Sequence, residues 1–312
     1  MKLKDRHFIN LWDFTSEEIE YLLMRARELK RQIKMGQKHF NHQHKTLVLI
    51  FSKPSLRTRV SFEVGAQQLG MNAITLKQDE INLGVRESVA DTARVISRYG
   101  NCAMIRTFSH EDVEEFAKYS TIPVINGLTD NSHPCQVMAD LLTIKEHFKN
   151  AKTLQGMKMA YIGDGNNVAN SLMIGCAHVG MDINIVCPND YFPLRKYFDK
   201  ACEIGEKTGA KINIVHDPKA GVEGANVIYT DVWASMGQEA QQETRKAVFA
   251  PYQVNDALLA NASPDHIVLH CLPAHRGDEI THEVLERHAE VIFEQAENRL
   301  HAQKAIMNEI IT

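Results

Sequence analysis

The segment Thr46-Leu-Val-Leu-Ile-Phe51 is apolar without interruption and rich in branched residues, the pattern of a strand covered on both faces. After a short polar turn, Val60-Ser-Phe-Glu-Val-Gly-Ala-Gln-Gln-Leu69 spaces Val60, Val64 and Ala66 for one helical face, with Gly70 as a stop. The alternation continues with strand Asn72–Leu76, a helix capped by Ser88 and ending at Gly100, strand Asn101–Arg106, helix Glu111–Ser120 and strand Pro123–Asn126. A helix then opens at Pro134 and runs to about Lys149. A second series has strands Lys158–Ile162 and Asp182–Cys187, a helix through Cys202, and strands Lys211–Val215, Asn226–Thr230 and His266–His270. Ahead of both, Thr15-Ser-Glu-Glu18 is a capping box for a helix to about Lys34, and a last helix is predicted from about Asn298 to Ile311. Strand and helix in turn imply parallel sheets with helices on both faces. The pattern predicts two α/β domains: 1–149, completed by the terminal helix 298–312, and 150–297, with the boundary in Lys149-Asn-Ala-Lys-Thr153.

Two stretches break the rhythm. Lys77 to Glu87 is polar, contains Gly84 and has no period, so it reads as a loop of about ten residues, a length often tied to function. Lys38-His-Phe-Asn-His-Gln-His44 is rich in histidine and reads as a solvated loop, with metal binding as the lesser possibility.

Composition narrows the class. The 312 residues are 44% hydrophobic and 24% charged, with a net charge of -4, which disfavours a nucleic-acid surface. Six cysteines stand apart with no Cys-x-x-Cys pair, as suits a reducing compartment. The N-terminus lacks the apolar core of a secretion signal, and no apolar run approaches the length of a membrane span. The expectation is a cytoplasmic protein that meets neither membrane nor nucleic acid.

In parallel α/β folds ligands sit beyond the carboxyl ends of the strands, so the polar residues there carry the candidate chemistry. Ser55, Arg57 and Thr58 lie where the first strand turns into a helix, and a helix N-terminus favours an anion. Two hydroxyls and a forked guanidinium suit a phosphate, although a plain capped helix with surface arginines fits the same residues. Arg106 ends the next strand. In His133-Pro-Cys-Gln136 the proline places His133 at a helix N-terminus, where the positive helix end favours neutral imidazole, and Gln136 follows one turn on. That pair can read a carbonyl and an amine, or His133 can simply cap a buried helix.

The second domain has Ile162-Gly-Asp-Gly-Asn-Asn-Val168, an incomplete dinucleotide turn, and the next strand ends Ile185-Val-Cys-Pro188 without the acid that would hold a ribose. A dinucleotide is disfavoured, and the turn can aim Asn167 at a smaller ligand. Asp231-Val-Trp-Ala-Ser-Met-Gly237 places an acid at a strand end, suited to an ammonium group or to capping a helix. His270-Cys-Leu-Pro-Ala-His-Arg-Gly277 offers two histidines and a cysteine but no fourth zinc ligand at usual spacing, so Cys271 reads as a thiol lining a pocket. Arg299, opening the predicted last helix, is a further anion contact or a surface arginine.

Ser55-Leu-Arg-Thr-Arg59, His133-Pro-Cys-Gln136, Asp231-Val-Trp-Ala-Ser-Met-Gly237 and His270-Cys-Leu-Pro273 together, in this order and spacing, resemble the aspartate/ornithine carbamoyltransferase family over essentially the whole chain. The Ser-Met-Gly segment and Cys271 resemble its ornithine branch. The resemblance implies transfer of a carbamoyl group from carbamoyl phosphate to the δ-amino group of L-ornithine, in arginine metabolism, with no metal or cofactor. It implies that Ser55, the backbone of Leu56, Arg57, Thr58 and Arg106 hold the phosphate, and that Arg57, Thr58, His133 and Arg299 reach the carbonyl oxygen. Gln136 and the main-chain carbonyls of Cys271 and Leu272 would take the amino group. Asn167, Asp231, Ser235 and Met236 would hold ornithine, with Cys271 beside its nucleophile and a cis Leu272-Pro273 bond. Arg57, Arg106, His133, Asp231 and Cys271 are the expected catalytic set.

Two positions depart from the family pattern. Leu56 stands where a threonine is usual, at little cost if that position acts through its N–H. Asn82 stands where His or Gln is usual, in a loop expected to enter a neighbouring subunit's site within a homotrimer.

Overall fold

The computed structural model describes residues 3–151, 153–234 and 242–312. The chain divides into two compact units, Met1–Leu142 with Asn298–Thr312, and Thr143–Glu297. The division falls inside the helix Pro134–His147 rather than at the polar stretch Lys149–Thr153.

The first unit is built on four parallel strands, β1 (Thr46–Phe51), β2 (Asn72–Lys77), β3 (Cys102–Arg106) and β4 (Val124–Leu128), in the order β2-β1-β3-β4. The apolar run of β1 is explained by its central place, for Leu47 to Ile50 are buried, and Val48 and Ile50 pack with Ala103, Ile105 and Val124. Because β2 lies on one side of β1 and β3 on the other, the winding reverses between β1 and β3. Phe51 and Arg106 are register partners there, so the turn after β1 and the side chain ending β3 emerge together at the switch point.

The second unit has five parallel strands, β5 (Lys158–Ile162), β6 (Asp182–Val186), β7 (Ile212–Val215), β8 (Val227–Thr230) and β9 (Ile267–His270), in the order β7-β6-β5-β8-β9. Its winding reverses between β5 and β8. Register pairs Ile162 with Thr230 and Thr230 with His270, which aligns the glycine turn, Asp231 and Cys271 along one sheet edge.

Four expectations need correction. The last helix is Ala289–Ile310, so Arg299 lies inside it rather than opening it; no proline, glycine or cap interrupts the sequence at Asn298. Lys77 to Glu87 is not wholly irregular, since Gln78–Ile81 forms one helical turn closed by Asn82 in the left-handed region, which asparagine tolerates. The helix expected to end at Cys202 continues to Thr208 and stops at Gly209, whose φ of 89° is left-handed. The histidine-rich stretch is not a solvated loop throughout: His39 and His42 are buried, the His42 N–H donates to the Leu69 carbonyl, and Phe40 lies over Gly70. Burial depresses the pKa of both imidazoles.

Candidate functional site

In the first unit the site is assembled at the start of the helix Leu56–Gln68. Ser55 is its N-cap, in extended backbone, and its Oγ accepts the Thr58 N–H at 3.2 Å. Arg57 and Thr58 therefore sit in the first helical turn, where backbone N–H groups lack intrahelical acceptors and the dipole is positive. The Leu56 side chain is 76% exposed, so at this position only the backbone faces the turn's interior.

Arginines from two other elements converge on Thr58. Arg106 Nη1 lies 3.4 Å from the Thr58 hydroxyl and Arg299 Nη2 lies 3.2 Å from it. A hydroxyl accepts two hydrogen bonds and donates one, so Thr58 keeps its own proton for another acceptor. Arg299 also donates to Gln136 Oε1 at 2.7 Å, while Gln136 Nε2 donates to Asp140 Oδ1 at 2.8 Å. Gln136 Oε1 retains one lone pair. Arg106 and Arg299 are buried, and so is His133. Desolvation, with the charges of Arg299, Arg106 and Arg57, holds the His133 pKa well below its ordinary value. The imidazole is thus neutral near pH 7, and those charges place it among the three guanidiniums. Cationic groups, a hydroxyl proton and an imidazole in one buried corner suit an oxyanion carrying phosphate.

In the second unit Asp231 follows β8 and caps no helix. Its Oδ1 accepts the Val232 N–H at 2.8 Å and the Cys271 thiol at 3.0 Å. Its Oδ2 accepts Asn166 Nδ2 at 2.8 Å. Asn167 is the first residue of the helix Asn167–His178, whose N-cap is Asn166. Leu272 has a φ of 58° and its bond to Pro273 is cis, as expected. His270 organises this corner: its Nδ1 accepts the Leu272 N–H at 2.8 Å, which leaves Nε2–H to donate to buried Glu279 at 3.0 Å. Asp231, His270 and Cys271 bring potential metal donors within 4.8 Å of one another, yet these atoms are already engaged in the hydrogen bonds just given. Ser235 and Met236 lie outside the described residues.

The glycine turn differs from a dinucleotide turn in a further respect. A Cβ at Gly165 would lie 2.2 Å from the backbone of Phe192 and Pro193, so this glycine makes room for the chain itself. Gly163, with φ 146°, is the position that demands glycine conformationally.

The structure thus brings Ser55, Arg57, Thr58, Arg106, His133, Gln136 and Arg299 to one corner, and Asp231 to Cys271 in another. Asn82 Oδ1 accepts from Gln78 Nε2 at 3.0 Å, a bond local to its own loop. Sequence reasoning missed three residues. Asn166 was legible as an N-cap before an apolar helix. Asp164 and Arg245, an ion pair at 2.8 Å in which Arg245 also donates to the Trp233 carbonyl, carried no local signal.

Two doubly wound parallel α/β units, one built around an anion-compatible helix start and the other around an acid at a strand end, define a two-domain enzyme class. Residues 6–146 match the carbamoyl-P binding domain of aspartate/ornithine carbamoyltransferase, and residues 155–310 match its Asp/Orn binding domain. The chain belongs to the aspartate/ornithine carbamoyltransferase family. It is 53% identical to the ornithine carbamoyltransferase of Geobacillus stearothermophilus over 311 residues, covering 100% of this chain and 99% of that one. It is 52% identical to that of Bacillus subtilis, covering 99% and 95%. The solved ornithine carbamoyltransferase of Pyrococcus furiosus superposes with a TM-score of 0.95 at 47% identity, covering 100% of this chain and 98% of that one.

Proposed function

We propose that the protein transfers the carbamoyl group of carbamoyl phosphate to the δ-amino group of L-ornithine, giving L-citrulline and phosphate. The observation that carries this reading is the corner around Thr58, where two guanidiniums fill the hydroxyl's acceptor positions and leave its proton for a ligand beside a neutral imidazole. Ser55, the Leu56 N–H, Arg57, Thr58 and Arg106 take the phosphate; Thr58, His133, Arg57 and Arg299 face the carbonyl oxygen; Gln136 accepts from the carbamoyl amino group. Asp231 takes the α-ammonium of ornithine, with Asn167 and, in the segment after it, Ser235 and Met236 completing the amino-acid site. Cys271 lies beside the nucleophile.

The neutral δ-amine attacks the carbonyl carbon, a C–N bond forms, and the C–O bond to phosphate breaks with its electron pair leaving on phosphate. The amine's surplus proton departs with that phosphate. Negative charge grows on the carbonyl oxygen and the leaving group, where preorganised donors lower the barrier. Because the amine must first lose a proton, activity rises toward alkaline pH.

We also read the protein as a cytoplasmic homotrimer in which the Asn82 loop reaches a neighbour's phosphate. The exposed apolar side chains Leu56, Ile74 and Val85 of the first unit support a subunit contact. No helix among the described residues is long and apolar enough to cross a membrane.

The test is citrulline formation from carbamoyl phosphate with ornithine, compared with putrescine, aspartate and acylornithine. Ornithine should be strongly preferred. Arg57→Gly should lower turnover by orders of magnitude in a folded protein, and near-normal turnover in that variant would sink the assignment.

A further inference from the structure

The acceptor positions of Asp231 can be counted. A carboxylate offers about four lone-pair sites. Val232 N–H and the Cys271 thiol fill two on Oδ1, and Asn166 Nδ2 fills one on Oδ2. One site remains, on Oδ2, for a ligand N–H.

Asn166 is itself fixed. Its Oδ1 accepts the Val168 N–H at 2.9 Å, the Ala169 N–H at 3.2 Å and the Tyr161 hydroxyl at 3.2 Å. Turning the amide over would set its oxygen against the Asp231 carboxylate and its NH2 against two backbone N–H groups, so the orientation is determined. One side chain thus satisfies a helix start with one end and orients an acid with the other. We propose that Asn166 is a positioning residue that holds Asp231 with a single acceptor site open, and so fixes where the ammonium of the amino-acid substrate binds. This rests on reading Asp231 as the acceptor for ornithine's α-ammonium.

The test uses Asn166→Asp and Asn166→Ser in the full-length protein. Both replacements keep an oxygen able to cap the helix, as Asp and Ser are favoured N-caps, so folding survives. N166D places a second carboxylate against Asp231. With both ionised they repel; when the pair shares one proton, the new acid donates to Asp231 as the amide did. Asp164, Arg245, Tyr161 and Cys271 also face this corner, but they are common to all the proteins compared, so variant-to-wild-type ratios isolate the new pair.

At alkaline pH, N166D should raise the KM for ornithine at least about tenfold while carbamoyl phosphate binding changes by less than about twofold. As pH falls, the ratio of N166D to wild-type kcat/KM for ornithine should rise, against the wild-type trend. N166S should raise the KM for ornithine with a ratio that does not change with pH. Unchanged KM for ornithine in both variants, equal loss of both substrates, or a pH-independent ratio for N166D overturns the inference. Wild-type protein that forms no citrulline overturns the proposed function and this inference with it; wild-type turnover with an unaltered N166D overturns the inference alone.

Discussion

His133 shows how one residue's environment decides its chemistry. A histidine before a proline is visible in the sequence, whereas the gathering of three arginines from separate segments around it is implied there only by the family resemblance; they, with burial, keep the ring uncharged. The stability consequence has a definite sign. The unfolded chain protonates this histidine near pH 6.5, while the folded protein does so only well below that value, so the contribution is complete above pH 6.5 and is lost as pH falls beneath it. His133→Asn removes that dependence. As pH falls through 6.5, the urea-unfolding advantage of wild type over the variant should shrink, and an advantage constant with pH would contradict the assignment. Of two adjacent asparagines, the sequence reading singled out Asn167 and passed over Asn166. Asn166 is the cap and the partner of Asp231, whereas Asn167 begins the helix. Residue type was readable at both positions; which atom bonds which was not.

At the scale of elements, strands and helices with strong periodicity were legible because burial dictates periodicity. What stayed hidden lacked punctuation. Ala289–Ile310 runs through Asn298 with good helix formers and no break, so its start could not be placed by pattern. His39 and His42 look polar on paper, yet their segment lies against the end of the helix Leu56–Gln68. The glycine turn after β5 looked like half of a nucleotide motif, because the sequence does not reveal that Phe192 and Pro193 occupy the space the second glycine clears. Gly165→Ala therefore meets backbone rather than a movable side chain, and overpacking of this kind should cost about 1–3 kcal/mol in denaturant unfolding. Since that turn carries Asn166 and Asn167, ornithine affinity should fall with it while carbamoyl phosphate affinity holds. At the other site, Ser55→Ala removes a helix cap and should cost about 1 kcal/mol by the same measurement.

For the whole molecule, each unit carries its own sheet, core and cluster of candidate groups. The alternation of strand and helix made this plan readable, while sheet order was not, since only pairing shows that winding reverses at β1/β3 and β5/β8. A ligand binding the folded state stabilises it by mass action. Carbamoyl phosphate at about a hundred times its Kd should add about 2.7 kcal/mol, with slowed amide exchange concentrated in residues 55–61. Slowing confined to the second unit would place the ligand elsewhere.

The inclusion of Asn298–Thr312 in the first unit has a consequence for biosynthesis. Domains generally fold in the order in which the ribosome delivers them. Here the second unit is one uninterrupted stretch, whereas the first waits for a segment made after it, with Arg299 in that segment. The unit whose strands are translated first is thus completed only after the other has been made, and the phosphate corner cannot close before then.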